Sequence, residues 1–272
     1  SASSMAGAGL TAPFSFKGGT YPGTGGTCST SLSGSNTTCT VVVTFAPGTT
    51  GSHSAPLQIN YNNGASNQQS SITVQGTSAG PAVLTVSDGP TYSFGTVATS
   101  TTKDKTFTIN NSGGVQATSL SGSGLSLPFR FKGGTFPGTG GSCTSTLNSG
   151  LSCTIVVNYA PSSSVTSSQT ITVGYNDGVS AQSATRPITG TGAAPASLTM
   201  SPSASYDYGT YPVGAVAEAT YTITNSGGLA ATSVVMNGLA APFEFKDGVY
   251  PGTGVPVAEG EVSPTSAVSF TS

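Results

Sequence analysis

Short runs of alternating apolar and polar residues dominate the chain. In Val41-Val42-Val43-Thr44-Phe45, the residues Val41, Val43 and Phe45 share one face. Ile155, Val157 and Tyr159 do the same in Ile155-Val156-Val157-Asn158-Tyr159. Phe107 and Ile109 alternate with Thr106 and Thr108, and Tyr221 and Ile223 with Thr220 and Thr222. A period of two puts one face of a strand on a core and the other in water. Gly113-Gly114, Gly133-Gly134, Pro137-Gly138 and Asp177-Gly178 interrupt these runs as turn signals. No helical period is sustained. The prediction is an all-β chain, with roughly seven short strands in each unit of about 110 residues, the pattern of a two-sheet immunoglobulin-like sandwich.

The pattern recurs. Pro13 to Gly25 reads PFSFKGGTYPGTG, Pro128 to Gly140 reads PFRFKGGTFPGTG, and Pro242 to Gly254 reads PFEFKDGVYPGTG. The offsets are 128 − 13 = 115 and 242 − 128 = 114 residues. That is a domain-sized period, since solenoid repeats run about 20–50 residues. Leu84–Ser87 matches Leu198–Ser201, Tyr92–Gly95 matches Tyr206–Gly209, Thr106–Gly114 matches Thr220–Gly228, and Tyr61–Gly64 matches Tyr175–Gly178. The expected organisation is therefore three tandem units. Residues 1–80 form a repeat without the two strands equivalent to Leu84–Val86 and Thr106–Ile109. Residues 81–193 form a complete repeat. Residues 194–272 form the N-terminal part of a third, with a tail that departs from the pattern after Gly254.

Within each unit Phe-x-Phe places two rings on one face, and the residue between them is Ser15, Arg130 or Glu244. A position that accepts no charge, a cation or an anion faces water, so Phe14, Phe16, Phe129 and Phe131 are core candidates. The four cysteines fall into two local pairs, one per repeat, between the PGTG turn and the next strand. The repeat thus selects Cys28–Cys39 and Cys143–Cys153 from the three possible connectivities, giving two intra-domain disulfides. Disulfides place the chain in an oxidising compartment, extracellular or on a cell surface.

Charge narrows the function. Only 6% of residues are charged, against about 25% in an average globular domain. The net charge is −2 and the seven basic residues are scattered, so no field exists to hold nucleic acid or an anionic membrane. The chain contains no run of about 18 apolar residues, the length a spanning helix needs. The opening Ser1-Ala2-Ser3-Ser4 reads as the interior of a longer chain.

Catalysis finds no constellation. His53, the sole histidine, lies in Gly51-Ser52-His53-Ser54 without a counterpart in the second repeat, and reads as a surface residue. Glu259 and Glu261 are the only close acids and read as a solvated face rather than a glycosidase pair. Asn176-Asp177-Gly178 has one acid and its counterpart Asn62-Asn63-Gly64 none, which predicts a turn and not a calcium loop. Cysteine gaps of about ten residues do not fit zinc. PGTG lacks the Lys-Ser/Thr of a phosphate loop. Lys17, Lys132 and Lys246 recur in register. A Lys–Asn crosslink would need each of them buried with an Asn and an acid, whereas Gly-Gly and Asp-Gly turns beside them predict exposure. The expectation is no enzyme, no cofactor and no metal.

The Phe-x-Phe-Lys-Gly-Gly segment, the PGTG turn, the cysteine pair, the strands ending in Phe45-Ala46-Pro47 and Tyr159-Ala160-Pro161, and Asn-Ser-Gly-Gly together resemble the bacterial choice-of-anchor D repeat, related to hydin-type immunoglobulin-like domains. The resemblance covers all but Val255–Ser272 and carries over no catalytic residue. It implies sandwich modules of secreted or surface proteins that extend or display something. Two functions follow as expectations: a structural stalk or fibre segment, or adhesin repeats that contact a glycan or host surface. The offset ends suggest that one molecule's third repeat completes the first repeat of the next, head to tail. A stretch of a longer tandem array explains the same offset.

Overall fold

The computed structural model describes residues 1–34, 36–202, 204–248, 250 and 265–271, the last segment as backbone only. The first repeat carries β1 (Ser3–Ala8), β2 (Phe14–Phe16), β3 (Val43–Phe45), β4 (Gly51–Asn62) and β5 (Asn67–Ser78). The second carries β6 (Leu84–Val86), β7 (Tyr92–Ala98), β8 (Lys103–Asn111), β9 (Ala117–Ser123), β10 (Phe129–Phe131), β11 (Thr146–Leu147), β12 (Ser152–Tyr159), β13 (Thr166–Asn176) and β14 (Ala181–Ala193). The third carries β15 (Leu198–Ser201), β16 (Val216–Asn225), β17 (Phe243–Phe245), a 3-10 turn (Lys246–Gly248) and β18 (Thr265–Thr271). The fold is all-β and sandwich-like.

In the second repeat one sheet has the order β10-β12-β8-β6 and the other β11-β9-β13-β14-β7. All pairs are antiparallel except β14 with β7. The alternating apolar residues meet between the sheets. Phe107, Ile109, Ile155, Val157 and Tyr159 come from one sheet and Phe94, Ile171, Val173 and Ile188 from the other, all fully buried. Phe129 stacks on its cross-strand partner Tyr159 with centroids 4.6 Å apart. Phe14 and Phe45 repeat that pair at 4.8 Å. Aromatic pairs of this kind add to the burial term. Ser15, Arg130 and Glu244 are all exposed. Room for the rings comes from glycine: a Cβ on Gly190 would lie 2.6 Å from the Tyr159 ring, and one on Gly76 2.8 Å from Phe45.

Two features differ from the pattern read in the sequence. Between the strands at Leu84–Val86 and Lys103–Asn111 stands a further one, β7, so the second repeat has three strand segments ahead of position 116. The tail also departs less than expected. β18 pairs with β16 and β17 as β12 pairs with β8 and β10, with Phe270 opposite Phe243 where Tyr159 is opposite Phe129. Residues 251–264, including Glu259 and Glu261, lie outside the described residues.

The long hairpins explain the Asn/Asp-Gly signals. Asp177 Oδ1 accepts the Val179 and Ser180 amides at 2.8 and 2.7 Å, and Asn176 Oδ1 accepts the Gly178 amide at 2.9 Å. In the first repeat Asn63 Oδ1 accepts from Ala65 and Ser66, both at 2.9 Å. Only the acceptor oxygen matters, which is why Asp and Asn interchange there. These amides also hold the Asp177 carboxyl below the usual range, the Ser180 amide most strongly.

Candidate functional site

Cys143 and Cys153 are bonded, as are Cys28 and Cys39, each pair with Cα atoms 4.8 Å apart. Cys153 is the second residue of β12 in one sheet, and the loop it closes contains β11, which pairs with β9 in the other. The bridge therefore ties the two sheets at one edge of the sandwich, with both cysteines buried in the core. Replacing Cys143 and Cys153 together by Ser should lower the stability of the second repeat by about 2–3 kcal/mol, from the loop closure released in the unfolded chain. Hydrogen exchange of β12 and β13 across a urea series, with and without reductant, reads the second repeat alone and checks this; its midpoint should respond to the reductant only in the parent, because the Cys28–Cys39 bridge of the first repeat remains in both chains.

The recurring lysines lie on the sandwich exterior. Lys132 Nζ sits 2.8 Å from Asp104 Oδ2, and the Asn158 amide donates to Asp104 Oδ1 at 2.7 Å. The Lys132 and Asn158 hydrogen bonds hold the Asp104 carboxyl below its ordinary range. A lysine, an acid and an asparagine do meet here, but Lys132 is about half exposed and its partner is ionised, so the group is an ion pair. Lys246 makes the same contact with Glu218 at 2.9 Å, and Ser269 stands opposite Glu218 where Asn158 stands opposite Asp104. Exposed pairs of this type contribute little stability, roughly 0–1 kcal/mol.

His53 is half-buried at the end of the first repeat. Its Nε2 lies 3.2 Å from Ser78 Oγ and 3.1 Å from the Thr49 carbonyl, and its ring faces Phe45. The Ser78 hydroxyl donates to the Thr49 carbonyl at 2.6 Å. Serine and histidine together tie the 47–50 loop to the last residue of β5.

That tie forms one side of a joint. The second repeat receives the chain where the Ala82 amide donates to the Asp177 carbonyl at 3.0 Å, beside the β13–β14 turn. The chain leaves at Ala193, where the Thr99 amide donates to the Ala193 carbonyl at 2.8 Å. Entry and exit thus lie at opposite ends of β14. At about 3.3 Å per residue, this 13-residue strand separates them by roughly 40 Å. A cavity of about 520 Å³ remains at the first joint, lined among others by Pro47, Thr49, Ser78, Pro81, Val115 and Val179. In the third repeat Met200, Tyr206, Tyr221 and Leu239 line an open cleft of about 420 Å³, on the side of the sheet that β13 and β14 cover in the second. Among the described residues no helix is long and apolar enough to cross a membrane.

No protein-family model and no curated protein matches the chain. Among solved structures, the VesB protease of Vibrio cholerae aligns at 15% identity and TM-score 0.33, over 41% of this chain and 32% of its own. A Porphyromonas gingivalis protein of unknown function aligns at 12% identity and TM-score 0.33, over 69% of this chain and 83% of its own. The PapD-like domain 7 of human CEP192 aligns at 14% identity and TM-score 0.31, over 43% of this chain and 88% of its own. The chain therefore spans about a third of the VesB structure. Likeness this low leaves the architecture to be argued from the strand registers themselves.

Proposed function

We propose that this chain is a structural segment of an extracellular fibre or stalk, of the bacterial surface type that its repeat resembles. The placement of entry and exit at opposite ends of β14 carries this reading. A module that receives its chain at one end and releases it at the other adds its own length to an array. A module with both connections at one end would add a side branch. Short connectors support the same reading, since β5 ends at Ser78 and β6 begins at Leu84, while β14 ends at Ala193 and β15 begins at Leu198. Each connector contains a proline, Pro81 or Pro195, which stiffens it. The two cystines suit an oxidising space outside the cytosol.

Antibodies against the purified chain, applied to intact and to permeabilised cells of its source, test the reading. Equal labelling of both is expected. Labelling that requires permeabilisation would overturn it.

A further inference from the structure

The Asn-Ser-Gly-Gly turn occurs after β8 and again after β16, and in both places it grips the connector from the preceding repeat. After β8, the Ser112 amide donates to the Val83 carbonyl at 2.9 Å and the Gly114 amide to the Gly80 carbonyl at 3.1 Å. Asn111 Oδ1 accepts the Val83 amide at 3.2 Å. After β16, Ser226 donates to Ser197 at 2.9 Å, Gly228 to Ala194 at 3.1 Å, and Asn225 Oδ1 accepts from Ser197 at 3.1 Å. The same donors meet the same connector positions 114 residues apart.

The two glycines are explained by the connector. Neither Gly113 nor Gly114 has a left-handed φ, so the turn itself does not require them. A Cβ on Gly113 would lie 2.2 Å from the Pro81 carbonyl oxygen, and one on Gly227 2.1 Å from that of Pro195. A Cβ on Gly114 would lie 2.8 Å from the Gly80 nitrogen and 2.9 Å from the Ala79 Cβ. The connector backbone lies directly on these two residues. Gly80 is the opposite case: its own Cβ would meet nothing within 4 Å, and its counterpart is Ala194.

The grip begins close to the preceding sandwich. β5 ends at Ser78 and the Gly80 carbonyl is already bonded to the second repeat, which leaves Ala79 between the two bodies. β14 ends at Ala193 and the next carbonyl, that of Ala194, is held by the third repeat.

We propose that the Asn-Ser-Gly-Gly turn is a docking surface whose partner is the Ala-x-Pro-Ala connector of the preceding repeat, and that it sets the angle between neighbours. It deepens the stalk reading, because fixed joints convert a string of modules into a stiff one.

Spin labels at Ser71→Cys and Thr185→Cys, both exposed and on neighbouring repeats, test the joint in the oxidised chain. Pulsed electron resonance should give a single narrow distance in the parent. Gly114→Ala should lose that single peak, and Gly80→Ala should keep it. Gly113→Ala should behave as Gly114→Ala; if it unfolds the repeat, Gly114→Ala decides, since the nearest contacts of its Cβ are all to Ala79 and Gly80. A broad distribution in the parent, or a Gly114→Ala chain that retains the parent's narrow one, would overturn the proposal. Either result leaves surface labelling untouched, and a chain found only inside cells would overturn the stalk reading without changing the label distance.

Discussion

Asn111→Ala should destabilise the second repeat by about 3–5 kcal/mol, the cost of stranding several buried polar groups at once. The Asn111 side chain is fully buried and makes four hydrogen bonds. Its oxygen accepts from Val83 and Gly113 at 3.2 and 3.0 Å, and its nitrogen donates to the Val115 and Leu147 carbonyls at 2.9 and 3.0 Å. The last of these reaches β11, so one side chain joins the connector, the turn and the other sheet. The four losses do not add in full, because the Val83 and Gly113 amides are near enough to the surface to recover water. Asn111→Asp should cost a similar amount, since it turns an acceptor toward two carbonyls. Asn225→Ala should cost less, because that residue is only half-buried. Hydrogen exchange of β12 and β13 across a urea series reads the second repeat separately from its neighbours. Protection unchanged from the parent would show that Asn111 does not hold the joint together.

Phe94→Ala should cost the second repeat about 3–5 kcal/mol, the range for emptying a large buried aromatic site. Phe94 lies on β7 and is fully buried. Its ring contacts Tyr92 at 5.1 Å, Tyr159 at 5.5 Å and Phe129 at 5.6 Å, so it connects the edge of one sheet to the centre of the other. The rings of Tyr92, Phe129 and Tyr159 surround it, so little polar surface would face the cavity left by its removal. Phe94→Leu should lose less. A fall in urea midpoint at constant slope is expected. An unchanged midpoint would mean that β7 is not part of the cooperative core.

Much of this was legible in the residues. The alternation of Val41, Val43 and Phe45 and of Ile155, Val157 and Tyr159 reads directly as strands with one buried face, because burial acts on each residue locally. The tail was harder. Val268 and Phe270 alternate like Val157 and Tyr159, yet the spacing from Phe243 to Phe270 is 270 − 243 = 27 residues, against 159 − 129 = 30 from Phe129 to Tyr159. The shorter connection, without cysteines, hides a strand whose register the pairing makes plain. Tyr92-Ser93-Phe94-Gly95 stood out as a repeated landmark, but the irregularity between Thr189 and Thr191 opposite β7 interrupts the period that would mark it as a strand.

The joint was legible only as a repeated turn. Gly113 and Gly114 looked like strand breakers, and nothing near them in the chain explains both. Their partners, Gly80 and Pro81, lie about thirty residues upstream, beyond the reach of any local rule. Likewise the Gly-Gly turn after Lys132 predicts its exposure but not its ion pair, because Asp104, its partner, arrives from a different strand.

Small-angle X-ray scattering of the purified, oxidised 272-residue chain separates a stiff array from a compact or freely jointed one. Repeats that enter and leave at opposite ends and meet at held joints predict the scattering of a stiff rod, with an axial rise of roughly 40 Å per repeat. Scattering of a compact particle, or of beads on a freely bending string, would contradict it.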